Sequence, residues 1–182
     1  SNAPFLEEDL ALANVALDFI GRARMFYAYA AELEGRGRSE DDIAYLRDCR
    51  EYRNLLIAEL PRGDFAFSTA RQFLVDAWNL EFLGALERSG DERLAAIAAK
   101  AIKESRYHFR RSRDWMLRLG DGTAESKRRV QDALEQLWGY TPELFGTDAI
   151  ETRLVAAGIA VDRAALKPAW YARIEPVLAE AG

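Results

Sequence analysis

The sequence predicts an all-α fold: a bundle of four long antiparallel helices followed by a helical C-terminal extension. Three observations carry the prediction. Apolar residues recur at spacings of three and four through successive stretches of about 20 to 28 residues. Short turns rich in glycine and proline, such as Gly35-Arg36-Gly37 and Pro61-Arg62-Gly63-Asp64, separate those stretches. No stretch alternates apolar and polar residues as a half-buried strand would.

The first predicted helix runs from Asp9 to Glu34. Leu10, Ala13, Leu17, Ile20 and Phe26 share one face, and Val15, Phe19, Tyr27 and Ala30 fall on others, the pattern of a helix buried on most sides. Asn14, Asp18 and Arg22 interrupt it at spacing four. A second helix opens at Ser39, which forms a near capping box with Asp42, and runs to about Leu60 before Pro61 stops it. Its faces are mixed: Ile43, Leu46 and Ile57 share them with Arg50 and Arg53, and Asp48, Glu51 and Asn54 stand at spacing three. The third, from Asp64 to Glu87, is rich in aromatics and carries the polar row Gln72, Asp76 and Asn79.

The fourth helix spans Asp91 to Leu119. Asp91 can cap its first turn with a side-chain oxygen, and Gly120 can end it. Leu94, Ile97, Ala98, Ala101, Ile102 and Ser105 form its apolar face. Lys100, Glu104 and His108, the only histidine, stack in one row at spacing four. Arg106, Arg110, Arg111, Arg113 and Arg118 read as a solvated face. A fifth, amphipathic helix runs from Thr123 to Trp138 with Val130, Leu134 and Leu137 inward. Shorter helices are expected over Thr147 to Ala157 and Asp162 to Ala179.

Composition bounds the function. Hydrophobic residues make up 49% of the 182-residue chain, which argues against disorder and suits one domain. A net charge of −5 argues against nucleic acid as a partner. No apolar run reaches the roughly 18 residues of a membrane span. The single Cys49 excludes an internal disulfide and suits a reducing, cytoplasmic setting. Ser1-Asn2-Ala3 reads as an expression-tag scar, leaving 4–182 as a single helical domain.

Each long helix carries one carboxylate in an apolar neighbourhood: Asp18, Glu51, Asp76 and Glu104. A carboxylate di-iron bundle takes a carboxylate from each of two helices and a Glu-x-x-His pair from each of the other two. The chain order fits that plan and the chemistry does not. Asn54 stands where the first histidine belongs, and Tyr107 rather than histidine follows Glu104 by three. One histidine cannot serve both irons. Without metal, buried carboxylates need counter-charges, and Arg22, Arg50, Lys100 and Lys103 stand within about a turn of them. The expectation is an empty, vestigial site with no metal in this chain and no catalytic residue. Glu104 is expected to contact a basic side chain or His108.

The runs DLALANVALDFIGRAR (Asp9 to Arg24), FSTARQFLVDAWNLEF (Phe67 to Phe82) and AAIAAKAIKESRYHFRRSRDWMLRLGDGT (Ala95 to Thr123) resemble the PaaC family. These are the non-catalytic, ferritin-like subunits of bacterial phenylacetyl-CoA epoxidase. The likeness continues through LWGYTPELF (Leu137 to Phe145) and GIAVD (Gly158 to Asp162), nearly the whole chain. It implies a ferritin-like bundle whose di-iron site is lost, scaffolding a catalytic PaaA-like sister that holds the iron and epoxidises the aromatic ring. Asn54 and Tyr107 agree with that loss, while Glu51 and His108 are partial survivals. An isolated chain is expected to pair with a second copy. The alternative reading is a self-sufficient di-iron oxygenase or oxidase using Asp18, Glu51, Asp76, Glu104 and His108.

Overall fold

A computed structural model describes residues 3–182. Ser1 and Asn2, the first two residues of the suspected tag scar, lie outside the described residues. The fold is all-α, with no strand among the described residues. Helix α1 spans Leu6–Glu34; three acidic residues, Glu7, Glu8 and Asp9, occupy its first turn, where the helix dipole favours them. Gly35 ends it at φ 64°, in the left-handed region.

The predicted second helix does not form as one piece. The chain makes α2 (Glu40–Tyr45), a single 3-10 turn (Cys49–Glu51) and the one-turn α3 (Leu56–Glu59). Ser39 does close its capping box with Asp42. Asp48 then closes a second box with Glu51, which restarts the chain instead of continuing the helix. Only Ile43 and Ile57 of these three pieces are buried, too few apolar anchors to hold a long helix against the bundle.

The remaining elements follow the predicted order: α4 (Phe65–Leu86), α5 (Glu92–Gly120), α6 (Ala124–Trp138), α7 (Ala149–Ala156) and α8 (Lys167–Ala181). Asp64 caps α4 by accepting from the Phe67 N–H at 2.8 Å, and Asp91 caps α5 by accepting from Arg93 and Leu94. Helices α4 and α5 are the central packed pair, and α6 and α8 lie against both. Their shared core includes Phe73, Leu74, Trp78, Met116, Leu137, Trp170 and Ile174. Each such side chain stabilises the fold by about 1.5–3 kcal/mol when fully buried. Trp170 donates its indole N–H to the Leu74 carbonyl at 3.0 Å, so a fully buried polar atom stays satisfied. No helix is long and apolar enough to cross a membrane.

Helix α1 departs from expectation. It rests mainly on α5 and α2, and only Val15, Arg22 and Ala31 are buried. Leu6, Leu10, Leu17 and Ile20 are 58% to 69% exposed. The face expected to point inward therefore points out, directly opposite the one that carries Val15 and Arg22. The predicted bundle survives with this difference: three long helices and two shorter ones surround the core, and one face of α1 has no neighbour.

Candidate functional site

The polar interruptions of α1, α4 and α5 meet inside the bundle. From α1 come Asp18 and Arg22, one turn apart and facing α5. The Arg22 guanidinium donates to Asn79 Oδ1 on α4 at 3.2 Å and to Ser105 Oγ on α5 at 2.6 Å. It also lies 4.8 Å over the Phe19 ring. Burial pulls its pKa down, against the opposing charges of Glu104, Asp76 and Asp18. An arginine stays protonated in a protein, so a full positive charge sits in the middle of the three helices.

Asp76 on α4 is fully buried. Gln72 Nε2 donates to its Oδ1 at 2.6 Å, and the Ser112 hydroxyl of α5 donates to its Oδ2 at 2.9 Å. Burial pushes its carboxyl up to about 7, an effect that these hydrogen bonds and the Arg22 and Arg111 charges oppose. The carboxyl gains its proton because an ionised group without a contacting counter-ion is costly to desolvate.

His108 is buried beneath the Phe19 ring, 5.3 Å between centroids, and its Nε2 lies 2.8 Å from Asp18 Oδ2. Burial lowers its pKa, against the pull of the Asp18 hydrogen bond. A neutral imidazole then donates Nε2–H to the carboxylate. Its Nδ1 is buried with no partner among the described residues, so no hydroxyl or thiol is poised against it as a nucleophile.

The remaining expected site residues do not join. Glu51 closes the Asp48 capping box on the surface, and Asn54 donates to Glu59 at 3.2 Å; both are exposed, because the long second helix that would carry them inward does not form. Glu104 is half-buried and makes no hydrogen bond or ion pair among the described residues, so the contact expected with a basic side chain or His108 is absent. It lies one position before the inward-facing Ser105. Tyr107 is exposed beneath Arg110. Of the four expected counter-charges only Arg22 enters the site; Arg50, Lys100 and Lys103 are exposed. Arg111, assigned to a solvated face, is instead largely buried and paired with Glu8.

Four members of the network escaped attention as site residues: Gln72, Asn79, Ser105 and Ser112. Ser105 had a signal. It stands three residues before His108, the register of a Glu-x-x-His pair, and a serine there removes the carboxylate.

The donor set does not fit a di-iron centre. Such a centre needs several carboxylates and imidazoles with free lone pairs turned to one point. Here both oxygens of Asp76 are engaged, a guanidinium occupies the space between the carboxylates, and no group of three or more His, Cys, Asp or Glu gathers among the described residues. What the arrangement does is lock three helices through a satisfied polar network, with direction-dependent contacts that fix their register.

Comparison with known proteins places this geometry. The family described as phenylacetic acid catabolic protein matches residues 1–182. One of the subunits of the 1,2-phenylacetyl-CoA epoxidase of Escherichia coli (strain K12), the PaaC-type one, is 51% identical over 173 residues, 95% of this chain and 69% of the relative. With a family match along its whole length and a relative at that identity, the chain belongs to the phenylacetic acid catabolic protein family.

Proposed function

We propose that this chain is a non-catalytic subunit of a multicomponent phenylacetyl-CoA ring epoxidase in aerobic phenylacetate degradation, and that it scaffolds a di-iron sister subunit. The observation that carries the reading is Arg22: a buried cation fills the ground where a carboxylate centre would bind iron. The identity to the Escherichia coli epoxidase subunit supports the assignment to such a complex. Epoxidation of the aromatic ring belongs to the sister subunit's iron, and no step of it runs through this chain. The self-sufficient oxygenase reading lacks a ligand set.

The exposed face of α1 supports a protein partner. Leu6, Leu10, Ala13, Leu17 and Ile20 follow one another at spacings of four, three, four and three, the seam along which helices interlock. Gly21, one turn after Leu17, has nothing near its Cβ position. A mid-helix glycine costs about 0.5–1 kcal/mol relative to alanine, and a close-approaching helix would give it a use. An obligate interface of about 2,000 Å² or more would extend from this seam to a catalytic, iron-bearing partner. Alone, the chain covers the seam by pairing with a second copy. The free, exposed Cys49 suits the cytoplasm.

The test is co-expression with the catalytic sister subunit, size-exclusion chromatography at micromolar concentration, and an epoxidation assay with a reductase present. Co-elution and a sister subunit that turns over only in the complex are expected. Separate elution, or equal turnover by the sister alone, would refute the scaffold role. About two irons per chain in this protein alone would instead favour the oxygenase reading.

A further inference from the structure

A second charged site lies at the N-terminal end of α4, outside the network described above. A cavity of about 240 Å³ opens there between the turn before α4, the first two turns of α4, Leu12 of α1 and Arg111 of α5. Three arginines line it: Arg62, Arg71 and Arg111. The lining holds one carboxylate, Asp64, and that group is spent. Its Oδ1 accepts from the Phe67 N–H and its Oδ2 pairs with Arg129 at 3.1 Å. Glu8 pairs with Arg111 from the side. No carboxylate pairs with Arg71 among the described residues, so its positive charge is left to the cavity.

Arg71 is the residue on which the site turns. It is half-buried, with its stem along α4 and its guanidinium 5.6 Å over the Phe67 ring. Its Nη1 donates to the Leu60 carbonyl at 2.9 Å and reaches the Pro61 carbonyl at 3.5 Å. These contacts fix the orientation of the planar fork. Its Nε and Nη2 have no hydrogen-bond partner among the described residues. Thr69 adds a hydroxyl to the lining, and Gln72, the donor to Asp76, forms part of the wall. The N-terminal end of a 22-residue helix contributes positive potential from its dipole.

A held guanidinium with two free donors matches the planar, bidentate geometry of a carboxylate or phosphate group better than any neutral ligand. The cavity is smaller than the roughly 300–1,000 Å³ of drug-sized sites, which excludes a nucleotide-sized molecule. We propose that this cavity binds a small free oxyanion, carboxylate or phosphate, gripped by Arg71 with Arg111 as the second cation. The proposal is independent of the scaffold reading.

Titration calorimetry with sodium phosphate, and separately with sodium acetate, tests it, with ionic strength held constant by sodium chloride. Amide-shift mapping on residues 62–72 locates the ligand. Saturable binding with a dissociation constant of about 1 mM is expected for at least one of the two anions, and which of them binds tells phosphate from carboxylate. Arg71→Gln and Arg111→Gln should each weaken binding about tenfold, the loss of a charge-assisted bond, while Arg118→Gln, outside the cavity, leaves it unchanged. Arg71 also holds the Leu60 carbonyl, so if its variant fails to fold, Arg111→Gln decides. The proposal fails if neither anion gives saturable binding, if shifts fall outside the α4 N-terminus, or if Arg118→Gln matters as much as Arg111→Gln. It also fails if an acidic peptide saturates the site when phosphate and acetate do not.

Discussion

Replacing Arg22 by methionine removes the charge of the polar core and keeps most of its volume. Arg22 is 7% exposed and donates to two acceptors, Asn79 and Ser105, that are themselves buried. A hydrogen bond from a charged group contributes about 1.5–3 kcal/mol, and an acceptor left buried recovers none of that from water. The Ser105 hydroxyl can turn to a carbonyl one helical turn back, and a methionine stem still packs on Phe19, so the lower part of the range applies to each bond. Asp76 also loses a charge that opposes the cost of its burial. The expected loss is about 3–4 kcal/mol. At about 2–4 °C per kcal/mol for a chain of this size, the melting temperature falls by roughly 10 °C. Urea unfolding followed by circular dichroism measures it. The double variant Arg22→Met/Asp76→Asn should lose less than the sum of the singles, by about 1 kcal/mol, because the two charges interact. A single-variant loss under about 1 kcal/mol, within the range of a surface change, would refute the claim that Arg22 holds α1 in register.

The carboxyl of Asp76 is pushed up to about 7 in the folded chain, well above the ordinary value near 3.9. The folded state therefore holds a proton that the unfolded state has released, and the resulting stabilisation is full below about pH 4 and lost as pH rises through about 7. Asp76→Asn should remove that decline, so its melting temperature relative to wild type is higher at pH 8 than at pH 5. His108 runs the other way: its pKa is lowered, so its contribution is intact above about pH 6.5 and lost as pH falls from there toward the folded value. His108→Gln should flatten the acid side of the stability profile, and an unchanged slope would show that the ring titrates as if exposed. Glu104→Ala, which strands no partner, should cost under about 0.5 kcal/mol; a loss of several would mean that Glu104 has an inward partner. Leu10→Glu with Leu17→Glu should leave the monomer's urea midpoint nearly unchanged while abolishing co-elution with the sister subunit, and retained co-elution would place the interface elsewhere.

The helices that carry this network were legible because their signals agree. In α5, an aspartate cap, a face of Ile97, Ala98, Ala101 and Ile102, and a closing glycine all say helix, and the observed span is Glu92–Gly120. The second predicted helix lacked that agreement. Its good start at Ser39 was followed by mixed faces and by Asp48, whose side chain accepts from the Cys49 N–H at 2.6 Å and helps begin a new turn. Sequence periodicity also cannot tell which of two apolar faces is buried. On α1 the stripe through Leu10 and Leu17 looked like core, and the helix turned its other side inward because Asp18, Arg22 and Tyr29 find polar partners there. In the site, Asp18, Arg22, Asp76 and His108 stood out as charged or titratable residues on apolar helices. Asn79, Ser105 and Ser112 did not, since small polar residues read as ordinary filler until a donor or acceptor opposite them is known. The local sequence of Glu51 resembled a ligand motif, but position in space depended on a helix that tertiary packing did not support.

The way α1 is fastened has a kinetic consequence. Glu8 to Arg111, Asp18 to His108, Arg22 to Ser105 and Tyr29 to Asp91 are spread along its length like rivets, while the apolar area it buries is small. A segment held by few buried apolar contacts opens at lower free energy than the core that carries it. Deuterium should therefore enter the amides of α1 well before those of α4 and α5. High salt should hasten that entry most at Glu8, the end where the fastening is an ion pair, and least at Arg22, where it is sealed from solvent. Without a neighbour on its outer face, α1 sheds and regains its seat while the rest of the bundle stays closed. Occupying that face would convert the most transient helix of the fold into one that exchanges only when the whole chain unfolds.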